Sequence, residues 1–288
     1  MKKIRKAILP VAGFGTRMLP ASKAIPKEMI TLVDKPLIQY AVEEAVNSGI
    51  ETIIFVTSRH KKSIEDHFDR FVDLEQALNR TGKEEELNKI MYLANCCEFI
   101  SVRQKEQNGL GDAVYCAKSI VGDEPFAVIL PDDVILSKEP VIGQLVEQYN
   151  EVGGSVIALQ EVAYENTSKY GIVSIEEEVK DRLYKLNDMI EKPEKNPPSN
   201  FAIIGRYILT TSVMENIGNI ECGALGEIQL TDAIRAEATK GFVYGYKFKG
   251  ERFDCGNVRG YIEATLNFAL ERDDLRDYVV ELIKNKFI

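Results

Sequence analysis

The 288-residue sequence contains no tryptophan and only two histidines, His60 and His67. Its five cysteines are odd in number, and no two of them form a Cys-x-x-Cys pair. This composition argues against a zinc site and favours reduced, mostly buried thiols over a disulfide framework. The cysteines are Cys96, Cys97, Cys116, Cys222 and Cys255.

The chain also lacks a long hydrophobic run, since no apolar stretch approaches the roughly 18 residues of a membrane span. The first six residues resemble the basic start of a signal peptide, but Gly13, Gly15 and Arg17 interrupt the apolar segment that should follow. We therefore expect a cytoplasmic protein. A formal charge of −9 and a pI of about 5.1 argue against a nucleic-acid or anionic-membrane partner. An anion site must then be a local basic pocket.

Two common glycine motifs are missing from the glycine-rich stretch at 9–20. A dinucleotide fingerprint needs a third glycine three residues after Gly15, where Met18 stands, and the Gly-Lys-Ser/Thr of a Walker loop is absent. The stretch does contain Gly13, Gly15 and Arg17, with Lys27 ten residues later. Glycines let backbone N–H groups approach phosphate oxygens, and the two cations neutralise charge. The stretch predicts a phosphate-binding loop; the alternative is a plain strand-to-helix turn with a surface arginine.

Alternating apolar runs and helical patterns predict βαβ units in the first half of the chain, and strands with fewer helices follow from about residue 154. The predicted strands are 7–12, 52–57, 98–102, 126–130, 155–161, 171–175, 183–190, 201–209 and 242–247. The predicted helices are 36–48, 63–79, 84–93, 110–120, 227–239, 256–272 and 275–286. We expect a three-layer α/β/α, Rossmann-like fold with a mixed, mostly parallel central sheet and a small antiparallel lobe.

The pattern is most simply one domain over residues 1–288, without internal repeats or long linkers. Within it we expect a nucleotide-binding half at 1–150, a sugar-phosphate-binding half at 151–260 and closing helices at 261–288. The charged stretch at 58–95 fits a solvated helical surface, and its role as a lid or a subunit contact stays open.

Parallel sheets bind ligands at the carboxyl ends of their strands, so residues that follow predicted strands are candidates for a site. Gln104 ends one strand just before the Gly109-Leu110-Gly111 turn. An amide offers a donor and an acceptor together, which suits the edge of a nucleobase. A helix start with a surface glutamine is the alternative interpretation.

Two adjacent acidic residues, Asp132 and Asp133, follow the strand at 126–130. Paired carboxylates in this position suit Mg²⁺, which is commonly held by one or two carboxylates plus substrate phosphates. The metal interpretation favours Asp132, whereas Asp133 equally fits a cap on the following turn.

A third candidate pair, Glu191 and Lys192, lies at the end of the strand at 183–190 and before Pro193. A carboxylate can accept hydrogen bonds from sugar hydroxyls, and a lysine can bind a sugar phosphate. Adjacent residues of a strand point to opposite faces, so the two would act together only if the backbone twists there. A simple turn is the alternative.

In this order the motifs resemble the sugar-1-phosphate nucleotidyltransferases, over residues 6 to about 270. They are G-F-G-T-R-M-L-P, I-P-K-E-M, L-P-D-D, Y-G-I-V, I-E-K-P, I-I-G-R-Y-I-L and F-D-C-G. The forms V-R-Q-K-E-Q-N-G-L-G-D-A and G-E-I-Q-L-T-D-A-I are similar to the bacterial uridylyl-transferring branch of that family.

The resemblance implies roles for individual residues. For the nucleotide it implies that the phosphates are contacted by Gly13, Gly15, Arg17 and Lys27. It places the base near the Ala12 backbone, and it implies that Gln104 and Gly109 recognise uracil. For the sugar phosphate it implies a lining of Gly171, Glu191 and Gly205, with Lys192 on the phosphate. For Mg²⁺ it implies Asp132, with Asp254 of F-D-C-G matching a second carboxylate in related thymidylyl enzymes. Arg206 differs from the apolar residue of some relatives, and its role stays open.

The implied reaction joins UTP and glucose-1-phosphate into UDP-glucose and pyrophosphate by a direct, Mg²⁺-dependent in-line displacement. The phosphate nucleophile is mostly ionised at neutral pH, so no general base is needed. The resemblance also implies a homodimer or homotetramer. Alternatives are the same chemistry with dTTP or another sugar-1-phosphate, and a non-catalytic sugar-nucleotide-binding regulator. A glycosyltransferase would need an Asp-x-Asp motif, and the pair here is adjacent.

Overall fold

The computed structural model describes residues 2–220 and 226–287, so Cys222 lies outside the described residues. The strands are β1 (Lys6–Pro10), β2 (Thr31–Leu32), β3 (Lys35–Pro36), β4 (Thr52–Thr57), β5 (Glu98–Arg103), β6 (Phe126–Ile129), β7 (Asp133–Leu136), β8 (Ser155–Glu161), β9 (Gly171–Lys180), β10 (Leu183–Glu191), β11 (Phe201–Leu209), β12 (Val243–Lys247) and β13 (Glu251–Asp254). The α-helices are α1 (Leu37–Asn47), α2 (Lys62–Phe68), α3 (Val72–Arg80), α4 (Glu84–Asn95), α5 (Leu110–Tyr115), α6 (Lys118–Val121), α7 (Val141–Val152), α8 (Thr211–Asn219), α9 (Leu230–Ala238), α10 (Val258–Glu271) and α11 (Asp273–Phe287).

Nine strands form one sheet in the order β5-β4-β1-β6-β11-β8-β12-β10-β9. The pairs β5–β4, β4–β1, β1–β6 and β8–β12 are parallel, and the others are antiparallel. Because β5, β1 and β6 run in the same direction, the residues that follow them meet at one edge of the sheet. This edge brings together the glycine loop, Gln104 and the Asp132 loop. The predicted mixed α/β sheet is confirmed.

The sheet is covered by apolar side chains on both faces, because successive residues of a strand point to opposite sides. In β1, Ala7 and Leu9 join the core that includes α1 and α7, whereas Ile8 joins the core that includes α5, α8 and α9. The strands at the centre are therefore continuously apolar rather than alternating, which is typical of a sheet buried on both faces.

Two small antiparallel sheets, β2–β3 and β7–β13, complete the fold. A third apolar core joins them to α10 through Leu32, Val134, Phe253 and Ala264. In β7–β13, Asp133 lies opposite Asp254, so this small sheet brings the Asp-Asp and F-D-C-G motifs side by side.

The structure differs from the sequence-based elements in several places. The predicted helix 63–79 is two helices, α2 and α3, separated by an extended Asp69 whose carboxylate accepts the Arg70 N–H at 2.8 Å. Aspartate side chains often compete with a helix in this way. The predicted helix 110–120 is likewise divided into α5 and α6. The pattern did not predict β2, β3, β7, β13, α7 or α8.

Across the described part of the chain, no helix has the length and apolar character to cross a membrane. The four cysteines within it are free thiols: Cys96, Cys97, Cys116 and Cys255. Burial raises the pKa of Cys255 to about 12, so this thiol stays protonated at neutral pH. The four are unpaired, as predicted, but the prediction of mostly buried thiols is wrong, since only Cys255 is buried and the other three are partly exposed.

Candidate active site

The glycine loop follows β1 and turns back at Gly15. Gly15 has φ 67° and ψ 32°, a left-handed conformation that favours glycine. A Cβ at this position would lie 3.1 Å from Cβ of Lys27, so the absence of a side chain lets the Lys27 segment come close. The hydroxyl of Ser22 donates to the Gly15 carbonyl at 2.7 Å and holds the turn. Around Gly13, no described heavy atom lies within 4 Å of an added Cβ, so this part of the loop faces open space.

Both cations that follow the loop point toward Asp132. The Lys27 ammonium donates to Asp132 Oδ2 at 2.5 Å, and Arg17 Nη2 lies 3.9 Å from the same oxygen. Burial alone would raise the pKa of Asp132, but the charges of Lys27 and Arg17 hold that pKa below its usual value. Burial alone would lower the pKa of Lys27, and Asp132 with Glu28 keeps it above its usual value instead. Asp132 and Lys27 therefore form an ion pair at neutral pH.

A second carboxylate, Asp254, faces the same space. A Cβ added to Gly256 would lie 2.9 Å from Asp132 Oδ2, 3.0 Å from Asp254 Oδ1 and 2.7 Å from Arg17 Nη2. Glycine therefore leaves open a space onto which two carboxylates and a guanidinium converge. The backbone fixes this arrangement, because Cys255 donates its N–H to the Asp132 carbonyl at 2.8 Å.

Asp133 turns away from this space and holds the framework. Its Oδ2 accepts the Gly205 N–H at 2.9 Å, and its Oδ1 accepts Arg252 Nε at 2.7 Å. A Cβ on Gly205 would lie 2.6 Å from Cβ of Leu130, so glycine is required where β11 passes the Asp132 loop. Asp133 thus links β7, β11 and β13 through hydrogen bonds of its side chain. This role differs from the turn cap that the sequence left open.

The residues predicted to bind a base line one half of the site, the base half, beside the glycine loop. A cavity of about 320 Å³ is lined by Ala12, Gly13, Lys27, Gln104 and Gly109, among others. Gln104 is buried, and its Nε2 donates to Asp112 Oδ2 at 2.7 Å and to the Gly109 carbonyl at 3.3 Å. Gln107, for which the sequence predicted no role, donates from its side chain to the Ala12 carbonyl at 2.8 Å.

The residues predicted to bind a sugar line the other half, the sugar half, which shares Asp132 with the base half. Gly171, Glu191, Gly205 and Asp254 all line a cavity of about 200 Å³. Glu191 Oε2 accepts the Thr231 hydroxyl at 2.7 Å, and a Cβ on Gly171 would lie 3.1 Å from the same oxygen. The Thr231 contact was missed, although the G-E-I-Q-L-T-D-A-I motif contains that residue.

Lys192 follows Glu191 directly in the chain but does not itself line the cavity of the sugar half. Its φ is 47°, a left-handed conformation that a side chain rarely adopts, and it supplies the twist that the sequence argument required. The Lys192 ammonium is 3.5 Å from Glu191 Oε1 and is 60% exposed. The carboxylate and the ammonium therefore lie on the same side of the chain although they are adjacent in sequence.

The two cavities share Leu110, Leu130 and Asp132, so they are halves of one cleft. One half contains an amide and glycine backbone suited to a base, and the other contains a carboxylate and glycines suited to a sugar. Arg17, Lys27, Asp132 and Asp254 lie where the halves meet. The arrangement suits the reaction of a nucleotide phosphate with a second anion.

A family model described as nucleotidyl transferase matches residues 6–271. The chain belongs to this nucleotidyltransferase family. A UTP–glucose-1-phosphate uridylyltransferase of Staphylococcus saprophyticus is 49% identical over 285 residues, covering 99% of this chain and 98% of that protein.

Two solved structures agree with this assignment to the nucleotidyltransferases. The UTP-bound UDP-glucose pyrophosphorylase of Acinetobacter baumannii is 40% identical with a TM-score of 0.92, covering 99% of this chain and 100% of that one. A UDP-glucose pyrophosphorylase complexed with UDP-glucose is 44% identical with a TM-score of 0.85, covering 94% and 100%. This nucleotidyltransferase therefore shares its fold over nearly the whole chain with proteins of that activity.

Proposed function

We propose that the protein transfers the uridylyl group of UTP to glucose-1-phosphate, giving UDP-glucose and pyrophosphate. The observation that carries the proposal is the 49% identity, over almost the full length of both chains, to a uridylyltransferase of this specificity. The continuous cleft supports it, because a base-sized half and a sugar-sized half meet at one cluster of charges.

In the proposed complex, UTP lies along the glycine loop. Gln104 and the Gly109 backbone read the uracil, with Ala12 beside it, and Gly13, Gly15 and Arg17 bind the phosphates. Glucose lies against Gly171, Glu191 and Gly205. Lys192 binds the sugar phosphate, and Lys27 contacts the phosphates at the reacting centre.

A phosphate oxygen of glucose-1-phosphate attacks the α-phosphorus of UTP and forms the new P–O bond. The bond from the α-phosphorus to the bridging oxygen breaks, and its electron pair leaves with pyrophosphate. No proton has to be removed from the nucleophile, since a phosphate monoester is mostly dianionic at neutral pH. Catalysis then depends on positioning and on neutralising charge, which Arg17, Lys27 and Lys192 are placed to do.

The residues present fit a bound Mg²⁺ at Asp132 and Asp254. Their oxygens converge within 3.0 Å of the point that a Cβ on Gly256 would occupy. Among the described residues, no cluster of three or more His, Cys, Asp or Glu side chains forms a complete metal site. This suits Mg²⁺, which is often held by one or two carboxylates and by substrate phosphates. When bound, Mg²⁺ would neutralise charge on the reacting phosphates.

The deciding experiment is a pyrophosphate-release assay with UTP and glucose-1-phosphate, repeated with dTTP, CTP, ATP and GTP and with other sugar-1-phosphates. We expect release that requires both UTP and glucose-1-phosphate, with UDP-glucose as the second product. Equal or faster release with dTTP would favour the thymidylyl alternative, which Gln104 does not exclude. Binding of UDP-glucose without turnover of any pair would favour the regulator.

We also expect a homodimer or homotetramer. One face of α10 supports this, since Val258, Ile262 and Leu266 recur every four residues and are each at least 45% exposed. Light scattering after gel filtration measures the mass, and a monomer at micromolar concentration would contradict the expectation.

A further inference from the structure

The Gln104 side chain is held in the base-binding cavity only by hydrogen bonds that it donates to acceptors of the protein. Its Nε2 donates to Asp112 Oδ2 at 2.7 Å and to the Gly109 carbonyl at 3.3 Å. Among the described residues, no N–H or O–H donates to Gln104 Oε1. The side chain therefore uses its donors on the protein and keeps its acceptor for a ligand.

The orientation of this amide follows from chemistry. A carboxylate and a carbonyl oxygen can only accept hydrogen bonds, so a flipped amide would set its oxygen against two acceptors. Asp112 forms the shorter of the two contacts and has the formal charge. Loss of that contact would leave only the longer one to the Gly109 carbonyl.

The loop that presents this arrangement is fixed by its own backbone. Gly111 donates its N–H to the Ile228 carbonyl at 2.8 Å, and Ile228 donates to the Asn108 carbonyl at 2.6 Å. A Cβ on Gly109 would lie 2.6 Å from the Ile228 carbonyl oxygen, so only glycine allows this approach. Asp112 follows directly in the first turn of α5 and cannot easily move away from Gln104.

We propose that Asp112 is a specificity-determining positioning residue, which holds Gln104 with its acceptor oxygen toward the base. The proposal rests on the proposed function, in which Gln104 reads uracil. Uracil has an N–H at position 3 that Gln104 Oε1 can accept, whereas cytosine has an acceptor there and would face a second acceptor. Asp112 thereby selects bases with an N3 donor, uracil and thymine, over cytosine without touching the base.

The test is Asp112→Asn, which keeps the size but supplies an amide that can donate as well as accept. Gln104 can then flip and present its NH₂ to N3 of cytosine. We expect the ratio of kcat/KM for UTP to that for CTP to fall at least about tenfold, with the CTP value rising in absolute terms. A rise for CTP is a result that mere damage to the site does not produce.

Asp112→Glu restores an acceptor-only group and should keep the preference for UTP. Glu106→Gln is the matched control, because it removes an exposed carboxylate of the same loop and should leave the ratio unchanged. Equal losses for UTP and CTP in Asp112→Asn, with the ratio unaltered, would overturn the proposal. Should Asp112→Asn not melt cooperatively, the same comparison with Asp112→Ala decides.

Equilibrium binding of UTP and CTP, without sugar phosphate, separates this inference from the proposed function. A wild-type protein that releases pyrophosphate from no nucleotide would refute the proposed function alone. The UTP-to-CTP ratio of dissociation constants would still report on Asp112, and an unchanged ratio in Asp112→Asn would refute the positioning role alone.

Discussion

Arg206 donates from Nη2 to Glu44 Oε2 at 2.9 Å, forming a buried ion pair against the Asp132 loop. Every N–H of this guanidinium has an acceptor, and three of these acceptors are the backbone carbonyls of Leu130, Asp133 and Gly205. The pair therefore joins α1 to the loop that carries the proposed metal ligand. The residue whose role was open from sequence is a structural support.

Removing one partner of this ion pair should lower the stability of the folded protein. Glu44→Gln leaves the Arg206 charge buried and partly unpaired, so we expect the free energy of unfolding to fall by about 3 to 5 kcal/mol. Urea denaturation measures it. Exposed Lys3 and Glu51 lie 2.6 Å apart and supply the control, since Glu51→Gln should leave the urea midpoint nearly unchanged. Similar effects of the two variants would contradict the role of the buried pair.

Lys192→Ala should remove most activity and spare UTP binding. The ammonium lies 3.5 Å from Glu191, which lines the sugar half, so its loss should affect glucose-1-phosphate and not the nucleotide. We expect kcat/KM for glucose-1-phosphate to fall about a hundredfold or more, as for other charged groups that stabilise a transition state. The exposed Lys195 is three residues away, and Lys195→Ala is the control. Unchanged turnover in Lys192→Ala would refute the assignment.

Thr231→Val should weaken the binding of glucose-1-phosphate in the sugar half, with a smaller effect than Lys192→Ala. The variant keeps the shape but removes the hydroxyl that donates to Glu191 Oε2 at 2.7 Å, so Glu191 is held less firmly. We expect KM for glucose-1-phosphate to rise about fivefold to tenfold, which corresponds to about 1 to 1.4 kcal/mol. Thr231→Ser keeps the hydroxyl and should restore the wild-type value. A rise in KM for UTP of the same size would show that the effect is not confined to the sugar.

The sequence predicted best those site residues that directly follow parallel strands. Parallel strands bring their carboxyl ends to one edge, so the glycine loop, Gln104 and Asp132 could be expected together. The supports of the site come from residues far apart in the chain. Arg252 reaches Asp133 across 119 positions, and Arg206 reaches Glu44 across 162. No periodicity encodes such pairs, because each depends on the completed sheet.

The pH dependence should reflect the substrate more than the enzyme. Asp132 has a lowered pKa, so its contact with Lys27 is present above the unfolded value of about 3.9 and is lost only as pH falls through the lower folded value. Lys27 has a raised pKa and stays protonated beyond its usual range. Between about pH 5 and 9 neither group titrates, whereas a phosphate monoester has a second pKa of about 6.

We therefore expect kcat/KM for glucose-1-phosphate to fall below about pH 6 because the nucleophile becomes protonated. The check is to repeat the pH profile at saturating UTP with an analogue whose phosphate group has a higher second pKa, such as the methylene phosphonate. The acidic limb of the pH profile should move to higher pH by the difference between the second pKa values of the two substrates. A limb that stays in place when the substrate changes would assign the titration to a group of the enzyme.

Asp132→Asn tests the proposed metal site most directly. Asparagine keeps the shape of the loop but loses the charge that faces Asp254 across the space left by Gly256. We expect chelation with EDTA to abolish wild-type activity and Mg²⁺ to restore it. In Asp132→Asn, activity at saturating Mg²⁺ should fall at least about a hundredfold. The Mg²⁺ concentration for half-maximal rate should also rise, since a carboxylate ligand is lost.

Binding of Mn²⁺ in the presence of UTP, followed by electron paramagnetic resonance, gives a readout of this site that does not depend on turnover. Asp132→Asn should bind Mn²⁺ more weakly than the wild type, and Asp254→Asn should show whether the second carboxylate shares the ion. Asp123→Asn, on the surface before β6, is the matched control. If Asp132→Asn kept both the Mg²⁺ midpoint and the Mn²⁺ affinity of the wild type, Asp132 would not be a metal ligand. It would then serve only as the ion-pair partner of Lys27, at 2.5 Å. The cation would have to be held by the phosphates and Asp254.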